Sequence, residues 1–250
     1  VADIQRSKAS YIFDGLTSGV LPEETAALIR SLIATESLYL AATREIATKL
    51  EVLNDEFKAT KDRNPIQFIQ TRVKTPKSIV DKLQRRGLPI TLESARRHLT
   101  DIAGIRVVCS YIDDIYLIAA LLVSQDDIAL VRFADYIESP KPNGYRSLHL
   151  IVTVPVFLSE RTERVAAEIQ IRTIAMDFWA SLDHELSYKL DEPNRGTTAR
   201  ELRDCADLIA GTDLRMQRLH DIIAGPPQGD PRERWKAEAA RAFARAGRSE

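Results

Sequence analysis

Apolar and polar positions along this chain follow first a helical and then a mixed rhythm, and the change marks its organisation. Leu21-Pro22-Glu23-Glu24 suits a helix start, with proline near the first turn and acidic residues at the positive end of the dipole. From there to about Phe57 the sequence avoids glycine and proline. Ile46, Leu50, Leu53 and Phe57 recur at helical spacing in one stripe, which Tyr39 and Thr43 continue less regularly upstream. A helix this long exposes more than one face, so packing against another subunit is expected. Lys61-Asp62-Arg63-Asn64-Pro65 ends it.

Beyond Pro65, strands and helices interleave. Residues 66–74 read as a strand, and Thr75-Pro76-Lys77 opens a helix through Leu83 that Gly87-Leu88-Pro89 stops. A short helix follows over 91–99, then a nearly continuous apolar strand over 102–110 and an apolar helix over 112–124. Strands are predicted over 128–137, 148–158 and 165–172, followed by a helix through Met176, Trp179, Leu182 and Leu186. Another helix spans 197–223, and the Arg-, Ala- and Glu-rich tail over 228–250 reads as frayed or loosely helical. This order implies an α/β (α+β) fold with a mixed sheet of about five strands flanked by helices, mixed because the strands around residues 138–147 look like a hairpin.

Composition adds mainly exclusions. A net charge of −1, from 35 basic and 36 acidic residues, argues against a general nucleic-acid binder, DNA included. Cys109 and Cys205 have no metal-ligand spacing. Val1-Ala2-Asp3-Ile4-Gln5-Arg6 does not open a signal peptide, and no apolar run approaches the ~18 residues of a membrane span. The chain is expected to be soluble and cytoplasmic.

Candidate chemistry concentrates in four segments. Lys141-Pro142-Asn143-Gly144-Tyr145-Arg146-Ser147-Leu148-His149 gathers cations, an aromatic ring, an amide and an imidazole around a Pro/Gly turn. Such a loop suits a nucleotide, with Lys and Arg for phosphate, Tyr for stacking and Gly for close approach, and it equally suits a polar hairpin. Period two places Arg72 and Lys74 on one face of their strand, and Glu168, Gln170 and Arg172 on one face of theirs. Burying such rows without partners costs about 1–3 kcal/mol per unsatisfied group, so the face must be wet, salt-bridged or filled by a ligand. In Asp101-Ile102-Ala103-Gly104-Ile105-Arg106, cooperation of Asp101 with Arg106 requires Asp101 to lie outside the strand or Gly104 to bulge. Singly, each segment also fits a structural role, Asp101 pairing with Arg106 or Glu168 bridging to Arg172. Together, two carboxylates and surplus cations on one sheet are the inventory of a magnesium–nucleotide site.

With these motifs in order, the chain resembles the synthetase domain of the RelA/SpoT family, and closely its stand-alone small alarmone synthetases. The matching residues are Arg72-Val73-Lys74, Asp101 to Arg106, Lys141 to His149, Glu168-Ile169-Gln170-Ile171-Arg172-Thr173 and Ala175-Met176-Asp177-Phe178-Trp179-Ala180-Ser181-Leu182-Asp183-His184. The resemblance implies a nucleotidyltransferase-like synthetase domain over 60–190, a helical oligomerisation extension over 1–59, a C-terminal helix over 191–225 and a flexible tail over 226–250.

It also implies a reaction: transfer of the β,γ-pyrophosphate of ATP to the 3′-hydroxyl of GDP or GTP, making ppGpp or pppGpp in the stringent response. By resemblance, Arg72 and Arg106 sandwich the adenine, while Lys74, Ser78, Lys82 and Arg85 hold the ATP phosphates. Asp101 is the implied Mg²⁺ ligand, and Glu168 the implied base at the 3′-hydroxyl and a second implied metal contact. Because a free Glu has a pKa of ~4.3, positioning and metal must carry most of the acceleration. The acceptor site is implied at Tyr145, which stacks on guanine, at Lys141 and His149 for its phosphates, and at Asn143, Gln170 and Arg172. The loop is expected to order only once ATP is bound. A homotetramer is implied, and single-stranded RNA is a further partner to consider.

Two departures qualify the resemblance. Only one His-Asp pair, His220-Asp221, is present, so the hydrolase activity of bifunctional relatives is not expected. Tetramers stimulated by pppGpp carry Phe-x-Thr-Gly before Arg-Val-Lys and an Asn after the Gln-Ile-Arg-Thr segment. Here Phe68 is kept, while Gln70, Thr71 and Asp177 differ, so weak or absent stimulation is expected. A polymerase-β-like enzyme would need a Gly-Ser start and carboxylates two residues apart on a strand, which this sequence lacks. A nucleotide or RNA binder of the same fold is the other alternative, disfavoured because Asp101 and Glu168 are both present.

Overall fold

Of the apolar stripe of the first helix, α1 (Glu23–Thr60), Ile46 and Leu50 are buried in the core and Leu53 and Phe57 are half-buried, while Leu38 and Ala42 extend the buried face upstream. The less regular Tyr39 and Thr43 are buried too, Thr43 bonding its hydroxyl to the Leu40 carbonyl. The structure, a computed structural model, describes residues 23–188, 195–225 and 229–246. The reading of Val1 to Arg6 and the first half of the helix start at Leu21-Pro22 lie outside these residues.

After α1 come β1 (Ile66–Val73), α2 (Pro76–Arg85), α3 (Leu92–His98), β2 (Ala103–Cys109) and α4 (Ile112–Val123). The hairpin of β3 (Ala129–Asp135) and β4 (Leu148–Phe157) follows, then β5 (Thr162–Thr173), α5 (Ile174–Tyr188), α6 (Arg195–Ala224) and α7 (Pro231–Ala246). Thr75 and Thr91 cap α2 and α3 by accepting the backbone N–H of Ser78 and Ser94, at 3.3 and 3.1 Å. Gly87, with φ of +64°, turns the chain out of α2.

The five strands form one sheet in the order β1-β2-β5-β4-β3. β2 and β5 run parallel at its centre and all other neighbours are antiparallel, so the expected mixed sheet is present. Alternation divides the faces. Ile105, Val107, Leu150, Val152, Ile169 and Ile171 point into a core shared with α1, α4 and α7. Gly104, Arg106, His149, Glu168 and Gln170 therefore point the other way.

The C-terminal tail departs from expectation. Residues 231–246 form a helix with Trp235, Ala239 and Ala242 buried against α4 and β3. Trp235 meets the Phe133 ring edge-on at 5.4 Å. Those three positions fall at i, i+4 and i+7, but two are alanines, whose small apolar signal is submerged among arginines and glutamates.

Candidate active site

Asp101 lies in the turn before β2, the first of the two placements its cooperation with the strand required. Lys74, one residue past β1, is tied there because its N–H donates to the Ile102 carbonyl at 2.8 Å. Its ammonium reaches Asp101 Oδ2 at 2.5 Å, and Lys82 from α2 reaches the same oxygen at 2.6 Å. Burial pushes the Asp101 carboxyl up, but the hydrogen bonds from Lys74 and Lys82 outweigh it and hold it below the ordinary carboxylate value. The pairing of Asp101 with Arg106 is thus replaced by a two-lysine clamp.

Ser78 and Arg85 do not join that clamp. Ser78 is exposed in the capped first turn of α2, and Arg85 is exposed with its Nε donating to the Asp81 carbonyl at 3.3 Å. Arg72 lies opposite Gly104 across the β1–β2 ladder, and its side chain crosses that glycine. A Cβ at Gly104 would stand 3.3 Å from Arg72 Cγ. Gly104 in turn lies opposite Glu168. Arg72, Arg106, Glu168 and Gln170 thereby line one cleft of about 200 Å³, with Gln70 and Thr71 at its β1 side. A larger hollow of about 530 Å³ between α1 and α3 is lined by Thr35, Leu92, Glu93, Arg96 and Arg97, without the paired carboxylates that phosphate chemistry needs.

Beside the cleft, five side chains close a ring of hydrogen bonds. Arg172 Nη2 donates to Gln170 Oε1 at 2.5 Å, and Gln170 Nε2 donates to Glu168 Oε2 at 2.9 Å. Glu168 Oε1 lies 3.3 Å from His149 Nδ1, His149 Nε2 lies 2.7 Å from the Tyr145 hydroxyl, and Arg172 Nη2 donates to that hydroxyl at 2.8 Å. A proton on His149 Nδ1 satisfies the ring: it donates to Glu168, and Nε2 accepts the Tyr145 O–H. The polar row is therefore internally bonded, and Glu168 meets Arg172 through Gln170 rather than directly. Burial raises the Glu168 carboxyl, yet His149 and then Gln170 bring it below its ordinary value. A lowered pKa keeps Glu168 ionised while making it a weaker base.

The loop between β3 and β4 is docked on α6. Gly144, with φ of +89°, packs on α6, where an added Cβ would stand 2.5 Å from Ala206 Cβ. Arg146 donates to the Gly144 and Ala206 carbonyls at 3.0 and 3.2 Å and pairs with Asp207 at 3.0 Å. Asn143 accepts the Tyr145 N–H at 3.2 Å and donates to Asp183 at 3.3 Å. The Lys141 ammonium sits 4.5 and 4.7 Å from the ring centroids of Tyr136 and Tyr145.

Sequence reasoning passed over several of these partners. Tyr136 meets the His149 ring edge-on at 5.1 Å, and only the hairpin register brings it there. Arg146, Arg203 and Asp207 anchor the loop to a helix some sixty positions away, as the separation of 60 between Arg146 and Ala206 illustrates. Asp177, noted in the sequence only as a departure, turns inward from the first turn of α5 and pairs with both Arg106 and Arg172.

Three buried polar atoms of the site have no hydrogen-bond partner among the described residues: Asp101 Oδ1, Arg106 Nε and Arg172 Nε. Buried polar atoms are ordinarily paired, so unspent capacity at the cleft and beside it marks the place for a polar ligand. The donor set suits Mg²⁺, a hard cation that takes oxygen ligands and usually only one or two protein carboxylates. Among the described residues, no helix is long and apolar enough to cross a membrane.

A mixed sheet with its core on one face, and on the other a cleft lined by Arg72, Arg106 and Glu168 with Asp101 before the adjoining strand, defines an anion-handling α/β domain. The family pattern described as "Region found in RelA / SpoT proteins" matches residues 71–193. The GTP pyrophosphokinase YwaC of Bacillus subtilis is 45% identical over 179 residues, which span 72% of this chain and 85% of that protein. The crystal structure of small alarmone synthetase 1 from Bacillus subtilis bound to its product pppGpp superposes with a TM-score of 0.71 at 32% identity, covering 78% of this chain and 99% of that one. Small alarmone synthetase 2 from the same organism superposes with a TM-score of 0.68 at 42% identity, covering 76% of this chain and 97% of that one. The chain belongs to the RelA/SpoT family, and is similar to its small alarmone synthetases.

Proposed function

We propose that this chain is a GTP pyrophosphokinase that transfers the β,γ-pyrophosphate of ATP to the ribose 3′-hydroxyl of GDP or GTP, yielding ppGpp or pppGpp and AMP. One observation carries the reading: Glu168, Arg72 and Arg106 line one cleft, and Asp101, with its unpaired Oδ1 and its two lysines, stands just before β2, the strand parallel to the one that carries Glu168. The names and folds of the relatives support the same activity.

In this reading the 3′-oxygen bonds to the β-phosphorus of ATP as the bond from that phosphorus to the α-phosphate bridging oxygen breaks. AMP leaves, and the 3′-hydroxyl proton passes to Glu168. Arg72 and Arg106 bind adenine, their planar guanidinium groups stacking as lysine cannot. Lys74 and Lys82 exchange part of their bonding to Asp101 for the ATP phosphates, and Ser78 and Arg85 extend that surface along α2. Asp101, with Glu168, would hold Mg²⁺, which when bound neutralises phosphate charge. Tyr145 stacks on guanine, with Lys141, Asn143, His149, Gln170 and Arg172 around the acceptor.

His149 and Gln170 fix the rotamer of Glu168, so its contribution is positioning more than basicity. Lys141 must leave the Tyr145 ring for guanine to stack there, which frees its charge for the acceptor phosphates. In this reading the protein acts in the stringent response, in the cytoplasm. The exposed apolar stripe Ile174, Phe178, Leu182 and Leu186 along α5 supports a homotetramer in which other copies cover it. Light scattering should then give four times the 28.1 kDa chain mass.

The test is incubation with Mg²⁺, ATP and GDP or GTP, with nucleotides resolved by chromatography. A guanosine tetra- or pentaphosphate and AMP should form, and both should vanish in Glu168→Gln. No product with either acceptor would refute the reading.

A further inference from the structure

We propose that Asp177 is a positioning residue that couples the two nucleotide sites, so that ATP in its site tightens GDP in the other. The inference rests on the proposed function for the identity of the two sites. Its basis is one atom. Asp177 Oδ1 receives Arg106 Nη1 at 3.3 Å and Arg172 Nη1 at 3.2 Å. Arg106 lines the cleft with Arg72 on the donor side. Arg172 belongs to the acceptor side, where its Nη2 holds both the Tyr145 hydroxyl and Gln170 Oε1. A single carboxylate oxygen is therefore shared between half-sites carried by different strands.

The two cations draw on one oxygen: Arg172 donates a hydrogen bond to it, Arg106 meets it only as an ion pair, and both distances exceed the about 2.7–2.9 Å of a charge-assisted N–H···O bond. The Asp177 side chain is 16% exposed and that of Arg172 only 4%, so water does little to dilute the competition. Burial works against the charged form of Arg172, the neighbouring Arg106 adds to that, and Asp177 opposes it. When adenine draws Arg106 into a stack, Oδ1 is released to Arg172. Arg172 then holds Tyr145 and Gln170 more firmly in the position that receives guanine. Linkage requires GDP to tighten ATP by the same factor. Asp177 can act this way because it sits in the first turn of α5, directly after the strand that carries Arg172, and reaches back over the sheet.

Isothermal titration with Mg²⁺ and a non-hydrolysable ATP analogue, with GDP, and with each in the presence of the other, measures the coupling. The wild-type protein should show a factor of about five or more. Asp177→Ala should bring it close to one while each nucleotide still binds alone, a result that general loosening of the site would not produce. Asp177→Asn, of the same shape, should lower the factor and serves if the alanine variant fails to fold. A wild-type factor of one, or a factor unchanged in the variants, overturns the inference and leaves the proposed function standing. Failure of either nucleotide to bind the wild-type protein overturns both.

Discussion

Gly144→Ala should damage the acceptor site and spare the ATP site. The residue occupies φ of +89°, where a Cβ costs roughly 1–2 kcal/mol. Its new methyl would stand 2.5 Å from Ala206 Cβ and 3.1 Å from Arg203 Cδ. Arg203 can swing aside, but Ala206 is fixed to the α6 backbone, so the contact adds overpacking of about 1–3 kcal/mol. Against this combined cost stand two hydrogen bonds that hold the loop on α6, Arg146 to the Ala206 carbonyl and Arg203 to the Pro142 carbonyl. Each contributes about 1 kcal/mol, and the exposed Arg146–Asp207 pair adds little. The penalty matches or exceeds that restraint, so the loop lifts from α6 and strains the Tyr145 hydroxyl's contacts with Arg172 and His149. Every 1.4 kcal/mol transferred to acceptor binding is a tenfold loss. Initial rates at saturating ATP should show KM for GDP raised about tenfold or more, and KM for ATP at saturating GDP changed less than about twofold. Ala206→Gly in the same chain should recover part of the loss by removing the clash and not the backbone strain. An unchanged KM for GDP, or equal losses for both substrates, would refute the reasoning.

Other consequences are as direct. Trp235→Ala should lower stability by about 3–5 kcal/mol in urea unfolding, with both KM values unchanged, because α7 packs on the sheet face opposite the cleft. Asp101 has a folded pKa below its ordinary 3.8, so in metal-free protein its contribution is complete above about pH 4 and is lost as pH falls through the lowered value. Asp101→Asn should flatten that part of the acid-unfolding profile. Titration of pppGpp into the assay should give less than about twofold stimulation, since Gln70, Thr71 and the inward-turned Asp177 replace the residues of stimulated relatives.

Much of the fold was legible because the central strands declare themselves. Ile102 to Ser110 is almost unbroken apolar sequence, as a strand buried at the sheet centre should be, and alternation put Glu168, Gln170 and Arg172 on one face correctly. The tail escaped because alanines carry little hydrophobic signal. At the site, residue types were readable and bonding partners were not. Lys74 and Lys82 converge on one oxygen of Asp101 only because α2 folds back after β1, a long-range consequence that no local spacing encodes. Asp101 with Arg106 and Glu168 with Arg172 were reasonable pairs by proximity in sequence. The register instead gave Arg106 to Asp177 and placed Gln170 between Glu168 and Arg172. Tyr136 and Asp207 were invisible for the same reason, since hairpin and helix packing bring them to the loop.

The central claim is the transfer of a pyrophosphate to a nucleotide acceptor, and the fate of a label tests it most directly. With ATP labelled at the β-phosphate, GDP and Mg²⁺, the account predicts label on the 3′-oxygen of the guanosine product and AMP released in equal amount. Label retained in ADP, or an acceptor left unmodified, would contradict it.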